Sequence, residues 1–138
     1  NMTGHLQICL NDELVRDVPN LVVNAGKGFV AARMIGTSAG VMSHMEVGTG
    51  TTNPAAGNTA LESVVSSSRT AFTTGAAVSG AVVTYVTAFA AGTGTGALTE
   101  AGIFNASSGG TMLCRTEFDV VNKGSADTMT ITWTVTVS

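Results

Sequence analysis

The carboxy-terminal stretch Thr128-Met129-Thr130-Ile131-Thr132-Trp133-Thr134-Val135-Thr136-Val137-Ser138 decides the fold class. It alternates with a period of two, the period with which a β-strand divides its side chains between two faces. Met129, Ile131, Trp133, Val135 and Val137 share the face predicted to be buried. The threonines at 128, 130, 132, 134 and 136 share the other. β-Branching suits them to a strand, and their hydroxyls tolerate water or a polar partner. A one-residue slip would bury every hydroxyl, so the register of this strand is strongly specified.

Outward from that strand, further candidates follow the same rule. Leu6, Ile8 and Leu10 alternate with Gln7 and Cys9, and Asn11-Asp12 is a turn signal before Glu13 to Val18, which predicts an amino-terminal hairpin. Pro19-Asn20 is expected to end its second strand. The period then changes. Ala25, Phe29, Val30, Ala32, Met34 and Ile35 predict a helix near 25–35, capped by Asn24 and ended by Gly36, although Gly26 and Gly28 weaken it by about 1 kcal/mol each. Strands are predicted at Ser43 to Gly48, Ser67 to Thr74, Ala81 to Ala90, Ala97 to Asn105 and Thr111 to Val121. Between them lie a surface loop from Gly48 to Asn58, a short helical turn near Thr59 to Ser63, and Gly-rich turns. The Ala81 to Ala90 strand is apolar on both faces, as expected of a strand covered on both sides. Together these elements predict an all-β chain, an antiparallel β-sandwich of jelly-roll type with one short helix, as a single domain over 1–138.

Composition narrows the function classes. Hydrophobic residues make up 44% of the chain and charged residues 11%, against roughly 25% in ordinary soluble domains. So little charge points to a surface covered by other subunits, the plain alternative being a monomer with a Thr/Ser/Gly surface. A net charge of −3 and six scattered basic residues, Arg16, Lys27, Arg33, Arg69, Arg115 and Lys123, offer no stripe for nucleic acid. No run approaches the roughly 18 apolar residues of a membrane helix, and no secretion signal opens the chain, so neither a membrane nor an export route is expected. Cys9 and Cys114 are too few for a disulfide framework and fall on differently exposed faces.

Chemistry-bearing patterns are weak. Ser43, His44 and Glu46 contain the residue types of a nucleophile, base and orienter, but neighbours on a strand alternate faces, so no catalytic residue is assigned. Cys9 and His5 lack the spacing of metal ligands, and no metal or cofactor is expected. Gly48-Thr49-Gly50 and Gly92-Thr93-Gly94-Thr95-Gly96 resemble phosphate loops in composition, yet neither has the strand and helix that a phosphate loop needs. Glu100 and Arg115 are expected to pair across strands, either as a modest surface ion pair or as a subunit contact.

Two blocks carry a resemblance. One is His44-Met45-Glu46-Val47-Gly48-Thr49-Gly50-Thr51-Thr52 with Thr59-Ala60-Leu61. The other is Leu98-Thr99-Glu100-Ala101-Gly102-Ile103-Phe104-Asn105 followed by Gly110-Thr111-Met112-Leu113-Cys114-Arg115-Thr116. With the closing strand they resemble small structural proteins of tailed bacteriophages, particularly the capsid cement or decoration proteins of short-tailed phages. The likeness spans about four-fifths of the chain, in motifs of Gly, Thr and Ala that are less diagnostic than catalytic ones.

That resemblance implies a jelly-roll-like sandwich on the outside of an icosahedral shell, as a homodimer or other small homo-oligomer, locking major capsid protein subunits together. It implies a virion protein on the capsid exterior, present in the host cytoplasm during assembly, with no catalytic residues and no cofactor. Arg33, Met34 and Arg69 are the expected interface residues, since Arg and Met are enriched at interfaces. A tail or tail-fibre-associated structural protein is the alternative. A sugar-binding β-sandwich, which would need exposed aromatic platforms, is the third reading.

Overall fold

The computed structural model describes residues 1–36 and 40–138. In chain order it contains β1 (Met2–Leu10), β2 (Glu13–Val22), α1 (Asn24–Met34), β3 (His44–Gly48), β4 (Thr70–Ala71), β5 (Thr74–Ser79), β6 (Val82–Phe89), β7 (Gly96–Phe104), β8 (Met112–Lys123) and β9 (Met129–Val137). Every pairing is antiparallel, in the order β4-β3-β7-β8-β2-β1-β9-β6-β5. The fold is all-β and sandwich-like, a single curled sheet with one helix among the described residues. The hydrogen-bonded order lends no support to the jelly-roll part of the expectation.

Two corners curl the sheet. Asn11 and Asp12 both take positive φ, 49° and 68°, the geometry of a tight hairpin turn whose twist matches its strands. β2 then runs past Pro19 to Val22, so the expected stop at Pro19-Asn20 is corrected. Instead the strand changes partner, pairing with β1 as far as Asn20 and with β8 through Leu21 and Val22. Thr116 Oγ1 donates to the Pro19 carbonyl at 2.9 Å, tying the corner to β8. At the opposite corner β4 pairs with β3 and β5 with β6, while the Phe72 and Thr73 amides donate to Ser43 and Val86 carbonyls, both at 2.9 Å. The expected Ser67 to Thr74 strand is therefore two short strands on two halves of the sheet, and Gly75 lies within β5 rather than in a turn.

The core lies inside the curl. On β9, Met129, Ile131, Trp133 and Val135 are buried and the intervening threonines are half-exposed, as the alternation predicts; only Val137, at the strand's end, is exposed. They pack with Leu6, Ile8, Met45, Phe89 and Ile103. The strand covered on both sides is not the one expected. On β6, Tyr85, Thr87 and Phe89 are buried, but Ala88 is exposed and Val82 and Val86 are half-exposed. β7 and β8 are the doubly covered strands, because α1 and the segment after β3 lie over their outer side. There Val23, Leu61, Phe104 and Met112 form a second apolar cluster.

α1 confirms the expected helix span with a different start. Val23 occupies the cap position without a side-chain hydrogen bond, and Asn24 lies inside the helix. Gly26 is buried because the helix backbone crosses β8 so closely that a Cβ there would lie 2.2 Å from the Leu113 carbonyl oxygen. Gly36, at φ 76°, ends the helix as a glycine can, its amide donating to Arg33 at 3.1 Å.

Candidate functional site

The densest polar constellation lies on the outer side of β7 and β8. Gly102 stands opposite Arg115 in their register and Glu100 opposite Glu117, which puts Glu100 and Arg115 on one diagonal. Arg115 Nε donates to Glu100 Oε1 at 3.1 Å, and Nη2 lies 3.0 Å from the same oxygen. Both residues are buried, at 1% and 0% exposure. The expected surface pair is thus corrected: the segment after β3 folds over it and excludes water.

Glu100 organises that covering segment. Its Oε2 accepts the amides of Gly50 at 2.7 Å and Ser63 at 2.8 Å, and its Oε1 accepts that of Glu62 at 2.9 Å. A Cβ at Gly48 or Gly50 would lie 2.6 or 2.4 Å from Oε2. Gly48-Thr49-Gly50 is accordingly an anion cradle, filled by the protein's own carboxylate. Arg115 completes the lock, Nη1 donating to Asn58 Oδ1 at 3.2 Å and Nη2 to the Thr52 carbonyl at 2.9 Å. No helical turn forms at Thr59 to Ser63, since the amides of Glu62 and Ser63 are directed at Glu100 instead.

Above the lock lies a cleft of about 350 Å³ lined by Thr52, Asn58, Thr59, Leu61, Glu62 and Arg115. Glu62 Oε1 accepts the amides of Thr51 at 2.8 Å and Thr52 at 3.2 Å, and the Thr52 hydroxyl donates to Oε2. The Thr52 hydroxyl, then the Thr52 and Thr51 amides, hold the Glu62 carboxyl below its ordinary range. Acceptors and donors here are spent on one another, and the arrangement works as a clasp on the chain.

A second constellation surrounds Arg69. Nε lies 3.1 Å from Glu46 Oε2, Nη2 donates to Glu46 Oε1 at 3.3 Å, and Nη1 donates to the Ala106 and Gly109 carbonyls at 2.9 and 3.1 Å. The guanidinium sits 3.7 Å from the Phe104 ring centre, a stacking geometry that desolvation strengthens. Ser43 Oγ and His44 Nδ1 are 2.7 Å apart, but Glu46, the carboxylate of that strand, is committed to Arg69 and does not orient the ring. Burial, then Arg69, hold the His44 imidazole below its ordinary 6.5.

The expected interface residues separate in space. Arg33 and Met34 are exposed at the end of α1, Met34 at 82%. Arg69 points inward and is engaged in the contacts just described. His5 pairs with Asp17 rather than approaching Cys9, and among the described residues no group of three or more His, Cys, Asp or Glu is placed to hold a metal ion. Both cysteines are free thiols, Cys9 half-exposed and Cys114 buried, where burial pushes the Cys114 thiol well up. Trp133 is fully buried and Tyr85 nearly so, its hydroxyl pushed up to about 12 by burial, then by Cys114, so neither ring makes an exposed platform for a sugar. Sequence reasoning missed Lys123, 1% exposed, whose Nζ donates to the Ala90 carbonyl at 3.0 Å. No local pattern marks it, because its burial follows from the register that places it opposite Gly96.

No family model, curated protein or solved structure matches the chain. No helix among the described residues is long and apolar enough to cross a membrane.

Proposed function

We propose that the chain is a structural virion protein that binds the outer surface of a phage capsid and stabilises contacts between major capsid protein subunits. Its partners in this reading are the major capsid protein and further copies of itself, with no cofactor, nucleic acid or membrane. It acts on the capsid exterior after synthesis in the host cytoplasm. The observation that supports the reading most is the outer face of β5, β6 and β9. Thr74, Val82, Thr84, Val86, Ala88 and the threonines at 130, 132, 134 and 136 leave a broad exposed or half-exposed strip without a charged side chain. A surface so low in charge promotes association. The resemblance blocks add support: they form β3, most of β7 and the start of β8 with part of the segment clasped by Glu100 and Arg115, a unit whose buried charges satisfy one another.

Such a protein stabilises a shell by mass action, because anything that binds the assembled lattice better than its free subunits shifts the equilibrium toward the lattice. Many copies of a modest contact suffice. Gel densitometry of purified virions tests the reading. About one copy per major capsid subunit is expected; a handful per particle would move the protein to the tail or tail fibre, and absence from virions would overturn the proposal.

A further inference from the structure

β5 is an open edge with neither a charged residue nor a proline to guard it. It pairs with β6 on one side, and among the described residues no strand pairs with the other. All six residues from Thr74 to Ser79 are exposed, Val78 at 72%. Backbone N–H and C=O groups along such an edge form a template for another strand, and proteins ordinarily guard it with Lys, Pro, a bulge or a very short strand. The opposite end of the sheet follows that rule, since β4 is two residues long and adjoins Arg69. β5 has a bulge alone: it has no charge and no proline, and the irregularity, between Thr74 and Ala77, leaves Ala77, Val78 and Ser79 in regular register. Nor is there any charged residue from Thr70 to Thr99, the stretch that forms β4, β5, β6 and the start of β7.

We propose that β5 is a self-pairing edge, along which two copies of the chain join their Thr74–Ser79 strands antiparallel about a two-fold axis. Three observations select a second copy as the occupant. Each molecule carries a net charge of −3, so two copies repel except where they present neutral surface, and this edge with the adjoining β6 and β9 face is such a surface. Every ladder in the sheet is antiparallel, so a reversed β5 continues the sheet unchanged in type. Gly75, Ala76, Ala77 and Ser79 are small, and an isologous pair needs only that the same strand face itself. The inference deepens the self-association half of the proposed function and does not depend on the shell half.

Sedimentation of the shell-free chain over a range of concentrations tests it, comparing the wild type with Val78→Lys and Ala77→Lys. A wild-type dimer of twice 13.9 kDa is expected, with both variants monomeric and their circular dichroism and thermal midpoint unchanged. A second measurement covers the case in which the lysines impair folding. In a Cys9→Ser background, the single variants Ala76→Cys and Ala77→Cys, one of which faces its own copy when the strands overlap fully, are expected to include one that gives an interchain disulfide, and Ala88→Cys on β6 is expected to give none. A dimer that both lysine variants leave intact, or cross-linking at 88 rather than at 76 or 77, would overturn the self-pairing edge while leaving self-association in place. A wild type that stays monomeric throughout overturns both, and co-sedimentation with shells reads the shell half separately.

Discussion

Glu100 and Arg115 form an ion pair sealed from water, in which one carboxylate oxygen faces Arg115 Nε at 3.1 Å and Nη2 at 3.0 Å. The carboxylate also holds the amides of Gly50, Glu62 and Ser63, so it joins two strands and the segment that covers them. Removing one partner of a buried pair leaves the other charged and unpaired, which typically costs about 3–5 kcal/mol. Arg115→Met is expected to lose stability on that scale in urea unfolding, and Glu100→Leu to lose more, because it also strands three amides. An isolated buried pair is often replaced by apolar residues at little cost. Here the double variant Glu100→Leu with Arg115→Met should stay well below wild type, and full recovery in the double-mutant cycle would show that the amides are not held by Glu100.

The two helical glycines predict opposite outcomes. Gly26→Ala forces a Cβ to within 2.2 Å of the Leu113 carbonyl oxygen, so α1 must lift from β8, at a cost of about 1–3 kcal/mol or more. At Gly28 nothing lies within 4 Å, so Ala there gains up to about 1 kcal/mol of helix propensity. Thermal midpoints of the two variants should fall on opposite sides of the wild type. Two shifts of the same sign would refute the close crossing.

Stability should fall in two stages as pH drops. His44 is held below 6.5 by burial and then by Arg69, so below about 6.5 the unfolded chain takes up the proton more readily than the folded one. Stability declines there and levels off once the folded imidazole is protonated. Glu62 and Asp127 are held below 4.5 and 3.8, Glu62 first by the Thr52 hydroxyl and Asp127 first by the Asn11 side chain. Their contribution is in place above those ordinary values and is lost as pH falls through the lower folded ones. Urea midpoints from pH 8 to 2 should show that His44→Gln flattens the first stage only, and Glu62→Gln part of the second only.

The two thiols should react at very different rates. Cys9 is half-exposed, whereas Cys114 is fully buried and its thiolate disfavoured, so a thiol reagent reaches it only through opening of the fold. Native protein is expected to titrate one cysteine promptly and the second only in denaturant. Prompt reaction of both would contradict the packing around β8.

Periodicity determined most of the strands, though not the end of β2 or the division between β4 and β5. The faces of β9, the hairpin at Asn11-Asp12, the span of α1 and the strands β3, β7 and β8 could all be read from local alternation and turn residues, because those are properties of neighbouring positions. The site was only half legible. Glu100 and Arg115 stood out as a pair, but nothing local said that Gly48-Thr49-Gly50 would wrap a carboxylate from a strand fifty residues on, or that Arg69 would turn inward onto Glu46 and Phe104. Tertiary structure likewise decided that β2 changes partner after Asn20, that β7 and β8 rather than β6 are covered on both sides, and that β5 is left as an open edge. The physical reason is that alternation assigns side chains to two faces of a strand, while what covers each face, and what pairs with each edge, depends on segments that meet only when the sheet curls.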